Sequence, residues 1–493
     1  MNQERKPLGL SARLGYGMGD IYGGGSTTIL NMYYLYFLID VAGLPPAWAG
    51  TAFLVSKLWD AVTDPVMGLI SDNTRTRFGR RRPYFLAGIP LVFLSFAAMW
   101  VRPGFAGSGA AFAYYLAAYV LFSTVYTMVW VPYNSIAAEL TQDYDERTRL
   151  SFYRMVFSNL SGIVAAIAPK DLFEGLLFRG DVPRAWLWVG IAFGLAFALP
   201  YIGTFLACRE NPEFMALPRK RFGSVKSFVT ANFLVPFENR PFRYVMLMYF
   251  FGFMAQDAVL GLAVYFLTYA LGIPSMMTLL VPVYGGLLLS LAFADALARR
   301  IGKRETFLVS GALWIGALIL VLFMRPGMPA AVMYAFGLLF GAGLAGVQSM
   351  VFAIFPDVPD VDELFSGARR EGLYSGIFAL FRKAGGAFIL FLVGLLIEAA
   401  GYIAPVGGVP QAQTPGFVRS LTLIFTGLPA FCVALALFAA WRYPLSRERL
   451  DRIRRINAAL RRGEPLSPED EASRAELLPL MVGGARPGLG GHA

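Results

Sequence analysis

Residues 57–84 read KLWDAVTDPVMGLISDNTRTRFGRRRPY. The stretch lies in an apolar run over 46–71, and Arg75, Arg77, Arg80, Arg81 and Arg82 follow that run. About 20 apolar residues make a helix long enough to cross the hydrocarbon core of a bilayer. Arginines massed just beyond such a helix mark the loop that stays in the cytoplasm. Two carboxylates, Asp60 and Asp64, stand inside the run, where ionised groups are costly.

The same alternation recurs along the chain. Apolar runs predict helices over 15–40, 46–71, 83–102, 110–138, 151–169 and 186–207. A second set covers 242–270, 275–298, 306–324, 329–355, 371–400 and 417–442. The region 165–185 reads least clearly, because Pro169, Lys170 and Asp171 interrupt it. With 57% hydrophobic and 15% charged residues and a mean hydropathy of +0.56, the chain reads as an all-α membrane protein. The net charge of +11 does not point to nucleic acid, because Lys and Arg gather in short loops rather than on one face.

Loops after even-numbered helices hold Arg209, Arg219, Lys220 and Arg221, then Arg299, Arg300, Lys303 and Arg304. Loops after odd-numbered helices are nearly bare, with Lys170, Arg179 and Arg184 the main exception. Both termini are therefore expected in the cytoplasm. The N-terminus is too polar for a cleaved signal peptide. The organisation expected is a six-helix half over 1–207, a cytoplasmic linker over 208–241, a second half over 242–442, and a partly disordered cytoplasmic tail over 443–493. A duplication supports two halves. Asp72 is followed by Gly79, Arg80 and Arg81, and Asp295 at the same spacing by Gly302, Lys303 and Arg304.

Asp60 and Asp64 share one face of their helix and repel each other unless a cation or proton relieves them. Thr63 adds a hydroxyl nearby, and hard cations favour such oxygens. Arg154 and Lys383, the latter beside Arg382, are intramembrane cations whose expected partners are Asp60 and Asp64. Asp20 and Asp257 read equally well as local hydrogen-bonding groups or as solute contacts. Gly23, Gly24 and Gly25 either open space or permit close helix packing. Tyr126, Trp130 and Tyr133 line the fourth helix near Pro132. Cys208 and Cys432 form no metal-type spacing, and the only histidine, His492, stands next to last. No protease helix, phosphate-binding loop, nucleophile elbow or dinucleotide fingerprint appears, so an enzyme is not expected.

YGMGD at 16–20, WDAVTDP at 59–65, RTRFGRRRPY at 75–84 and YTMVWVPYNS at 126–135 resemble the glycoside-pentoside-hexuronide:cation symporter family. DVPDVDELFSGARREG at 357–372, FRKAGGA at 381–387 and RYPLSRERL at 442–450 extend the resemblance over most of the chain. It implies a twelve-helix major facilitator fold of two six-helix halves in a bacterial inner membrane. It also implies symport of a sugar, glycoside or uronide with Na+ or H+. An animal lysophosphatidylcholine:sodium symporter shares WDAVTDP, so an amphipathic solute is the alternative within transport. A non-transporting membrane sensor is the alternative outside it.

Carried over by position, Asp60 and Asp64 match the cation-binding carboxylates, and would ligate sodium if sodium is the ion. Thr127 falls on a threonine ligand, and Thr63 stands where the melibiose-carrying member has an asparagine. Arg154 and Lys383 match charged residues near both sites, and Tyr126, Trp130, Asn134 and Gly24 complete the expected solute positions. Gly24 and Trp130 replace two sugar-binding aspartates, which predicts poor binding of galactosides. No cofactor beyond the coupling cation is expected, and the partners expected are a small solute, that cation and the bilayer. A monomer is expected.

Overall fold

Hydrocarbon supplies no hydrogen bonds to a backbone, so apolar runs of this length fold as helices that satisfy themselves. The computed structural model describes residues 8–105, 107–141, 143–210, 235–273, 275–367, 370–405 and 411–482, and none of them forms a strand. Most of the expected linker, including Arg219, Lys220 and Arg221, lies outside the described residues, as do the end of the tail and His492.

The first half comprises α1 (Leu10–Met18), α2 (Asp20–Ile29), α3 (Pro46–Asn73), α4 (Arg82–Ala98), α5 (Ser108–Leu140), α6 (Tyr144–Ala168), α7 (Val182–Ala198) and α8 (Pro200–Ala207). The second comprises α9 (Arg240–Tyr265), α10 (Met277–Ile301), α11 (Lys303–Leu320), α12 (Ala330–Ile354), α13 (Val358–Ser366), α14 (Glu371–Ala399) and α15 (Pro415–Trp441). The tail adds α16 (Arg447–Arg461) and α17 (Pro468–Met481).

Among the described residues, eight helices are long and apolar enough to cross a membrane, or nine if the two segments of α10, bent by 41°, make one span. The remaining expected spans fall short for local reasons. The first is broken at Gly19 between α1 and α2 and continues through π-helical turns Leu30–Tyr34 and Phe37–Val41. The second, α3, carries Lys57, Asp60, Asp64 and Asp72. The third, α4, has only 17 residues.

The fifth helix is longer than expected. It starts at Tyr144, and beyond Ala168 it continues as a π-helix over Pro169–Leu177. Proline cannot donate to the preceding turn, and a wider turn absorbs that loss. Lys170 is not an interruption. It is buried, donates to the Tyr36 hydroxyl at 2.9 Å and pairs with Glu174, which accepts from Trp186 Nε1 at 3.1 Å.

Two compact units emerge. One holds Met1–Phe222, Asp257–Leu280 and Ala387–Ile424, and the other holds Gly223–Gln256, Val281–Gly386 and Phe425–Ala493. In the first, α2 packs on α6, α3 on α5, and α4 on α7. A Cβ on Gly17 would strike Tyr153 and one on Gly24 would strike Ser158, so glycine sets how close α1 and α2 come to α6. Asp40 is buried and accepts hydrogen bonds from Tyr269 and Tyr402, each at 2.5 Å. In the second unit, α11 packs on α12 through Gly343 against Trp314 and Gly346 against Ser310.

Each copy of the repeated basic motif turns on a glycine at positive φ, 115° at Gly79 and 101° at Gly302. In the first, Arg80 and Arg81 bridge Asp72 to Glu139. Glu210, just beyond α8, accepts from the backbone N–H groups of Arg80, Arg81 and Arg82 at 2.6, 2.7 and 3.0 Å. In the second, Lys303 pairs with Asp357 at 2.7 Å. The tail helix α16 joins it: Arg454 reaches Asp360 at 2.8 Å and Asp357 at 3.1 Å, and Arg461 pairs with Glu363.

Candidate cation and solute site

Helix α3 is joined to α5 by side chains facing each other at intervals along the pair. Ser56 Oγ lies 2.8 Å from Ser123 Oγ, and Trp59 Nε1 donates to Thr124 Oγ1 at 2.9 Å. Thr127 Oγ1 donates to Asp64 Oδ1 at 2.7 Å. Asp60 is fully buried, one turn before the half-buried Asp64. Lys57 donates to Asp60 Oδ2 at 3.1 Å. The Thr63 hydroxyl donates back to its own helix, to Trp59 O at 3.2 Å. Pro65 has no N–H for the carbonyl of Ala61, which leaves that oxygen without its usual helical donor.

This arrangement differs from the expected one at Arg154. Arg154 does not pair with Asp60 or Asp64 but with Asp20, Nε to Oδ2 at 3.0 Å. The two residues lie on α6 and α2, which the close glycine packing brings together. Lys57, three residues before Asp60 on the same helix, places an ammonium against Asp60.

Arg154 sits in an aromatic frame. Its guanidinium lies 5.1 Å from the Trp130 ring and 5.5 Å from the Tyr133 ring. Trp130 stacks with Tyr126 at 5.4 Å and with Tyr133 at 5.5 Å. Tyr133 donates to Tyr16 O at 2.7 Å, which fixes the ring against the start of the chain. Arg154 keeps 29% of its side chain exposed, and its ion pair with Asp20 is made through Nε.

The other expected positions are scattered. Gly24 serves the packing of α2 on Ser158, and Gly23 and Gly25 likewise meet Trp130 and Phe197. Asn134 is exposed and donates to Trp130 O on its own helix at 3.0 Å. Asp257 is buried and accepts from Asn31 Nδ2 at 3.2 Å. Lys383 lies half-buried on α14 in the second unit, where its neighbour Arg382 covers the Phe253 ring at 4.9 Å. Sequence reasoning overlooked Lys57, although its spacing to Asp60 is a helical turn. It also overlooked Ser123 and Thr124 on α5, which carry no charge to draw notice.

Residues 15–447 match the model of a family described as MFS/sugar transport protein. An uncharacterized symporter of Synechocystis sp. is 30% identical, over 89% of this chain and 95% of its own length. The glucuronide carrier protein homolog of Escherichia coli is 27% identical, over 92% and 96%. Among solved structures, the nucleoside transporter NupG superposes with a TM-score of 0.59 at 15% identity, over 88% of this chain and 99% of that one.

Proposed function

The chain belongs to the MFS/sugar transport protein family, whose members are transporters and not enzymes, and on that premise we propose that it is a cation-coupled symporter of an acidic glycoside. Its fold is the all-α major facilitator fold, and its type is that of the glycoside-pentoside-hexuronide:cation symporters. The proposal places it in a bacterial inner membrane with both basic loop ends in the cytoplasm, following the positive charge.

One observation carries the cation reading. Asp60 and Asp64 share a helix face, with the Lys57 ammonium on the first and the Thr127 hydroxyl on the second. Two carboxylates one turn apart repel each other, and a bound cation relieves that repulsion. An entering cation would be held by Asp60, Asp64 and the oxygens of Thr63 and Thr127, a set that suits sodium. A proton would need only one carboxylate and would leave the hydroxyls idle, so sodium is the preferred ion.

For the solute, the reading rests on Arg154, oriented by Asp20 through Nε and still partly exposed. A guanidinium fork suits a carboxylate, and the Trp130 and Tyr126 faces suit the apolar side of a sugar ring. Lys383 of the second unit is proposed as a further solute contact. The galactoside-binding carboxylates are replaced by Gly24 and Trp130, so melibiose should be a poor solute.

Proteoliposomes with an imposed sodium or proton gradient test both parts, using matched neutral and acidic sugars, melibiose and a lysolipid. The expected result is sodium-driven accumulation of the acidic sugar. Uptake driven by a proton gradient alone removes the sodium assignment. Strong melibiose uptake removes the solute assignment.

A further inference from the structure

The first unit holds more than the first half of the chain, because 257–280 and 387–424 join it. Carboxylates tie these later segments in place. Asp40, at the end of the first expected span, accepts from Tyr269 and Tyr402, which stand 229 and 362 positions away. Asp171, beyond α6, accepts from Met276 N, just before α10, at 3.0 Å. Glu398, near the end of α14, accepts from Ala47 N in the first turn of α3 at 2.8 Å. Each contact joins the first half of the chain to the second. All three acids stand at the ends of odd-numbered spans, so they share the face opposite the basic loops.

The contacts differ in weight. Asp40 is only 3% exposed, and a buried carboxylate persists only where donors meet it. Here two phenols from two separate segments converge on one of its oxygens, Oδ1. Asp171 and Glu398 each take a single backbone N–H nearer the surface. Glycines let α3 and α14 close up beside them: a Cβ on Gly50 would strike Phe391, and one on Gly394 would strike the Pro46 carbonyl. A seal of this kind can part. Tyrosines satisfy the carboxylate while the face is shut, and water satisfies it once the face opens, so neither state strands the charge.

We propose that Asp40 is the keystone of a latch that shuts the face opposite the basic loops, with Asp171 and Glu398 as lighter clasps, and that the latch parts in each transport cycle. From the proposed function this takes only that the chain is a carrier with its basic loops in the cytoplasm. Neither the ion nor the solute enters it.

The test measures distances between nitroxide labels on the purified full-length chain carrying Cys208→Ala and Cys432→Ala. One pair, Leu177→Cys with Ile403→Cys, uses exposed positions on either side of the latch. A control pair, Leu121→Cys with Leu177→Cys, lies wholly in the first half of the chain. Asp40→Asn keeps the shape and loses the charge. It should raise the ratio of long to short distances in the first pair about tenfold, as should Tyr269→Phe combined with Tyr402→Phe. Asp171→Ala and Glu398→Ala should each raise it about threefold. The control pair should not move. The tyrosine variant carries the test if Asp40→Asn fails to fold. Folded variants that all keep the parent's distances overturn the proposal. So does lengthening of the control pair along with the first, since the acids would then support the fold at large. Failed uptake of sodium or an acidic sugar would leave these distances unchanged, so the two readings fail separately.

Discussion

Asp60 and Asp20 are both buried carboxylates that meet a cation, yet they stand in different company. Asp20 pairs with Arg154 in a frame of rings. Asp60 pairs with Lys57 and has a second carboxylate, Asp64, one helical turn away. Removing a partner from a buried pair strands a charge. Removing a carboxylate from the proposed cation site removes its capacity for a cation. The first change should be read in stability and the second in transport.

The largest expected effect comes from breaking the proposed cation site. Asp60→Asn or Asp64→Asn should cut sodium-driven uptake by roughly a hundredfold or more, about 3 kcal/mol, with folded protein still in the membrane. Full accumulation by both variants would take these residues out of coupling. Breaking the pair of Asp20 with Arg154 comes next. Asp20→Asn should lower resistance to thermal unfolding in detergent by about 3 kcal/mol, and adding Arg154→Gln should restore most of it. A double variant no better than the single one would mean that the pair does not act as a unit. Thr127→Val should weaken sodium binding about tenfold by calorimetry, through loss of one hydrogen bond to a carboxylate.

Lys57→Gln sharpens the contrast in the other direction. If the ammonium competes with sodium for Asp60, the variant should bind sodium about threefold more tightly and show a larger sodium-dependent rise in Tm. A weaker sodium response would make Lys57 a support and not a competitor. Asn134→Ala should change uptake less than about twofold, since its amide bonds only to its own helix.

The hydropathy of α5, α9, α12 and α15 made those spans plain in the sequence, because few charges dilute them. The spans that were harder to bound are those where function or packing intrudes: glycines in α2, carboxylates in α3, and Pro169 after α6. Asp60 and Asp64 could be singled out because intramembrane acids are rare and a helical turn is a local relation. The pairing of Asp20 with Arg154 could not, because it joins residues 134 positions apart. Nor could the anchorage of the tail be read, because Arg454 and Arg461 hold α16 to acids at and within the start of α13 that stand 94 to 98 positions earlier. The repeated motif was legible as a spacing, but the acid that meets its first copy, Glu210, stands well downstream.

The rungs between α3 and α5 have a mechanical consequence. Two beams cross-braced at several points resist shear far better than two lying side by side. Ser56 with Ser123, Trp59 with Thr124 and Asp64 with Thr127 brace these helices in that way. Whatever motion the carrier performs, the truss holds Asp64 against Thr127, and the load must be taken up at joints elsewhere. If the proposed cation site lies there, it would respond to charge rather than to posture, and an ion would board or leave it with little remodelling.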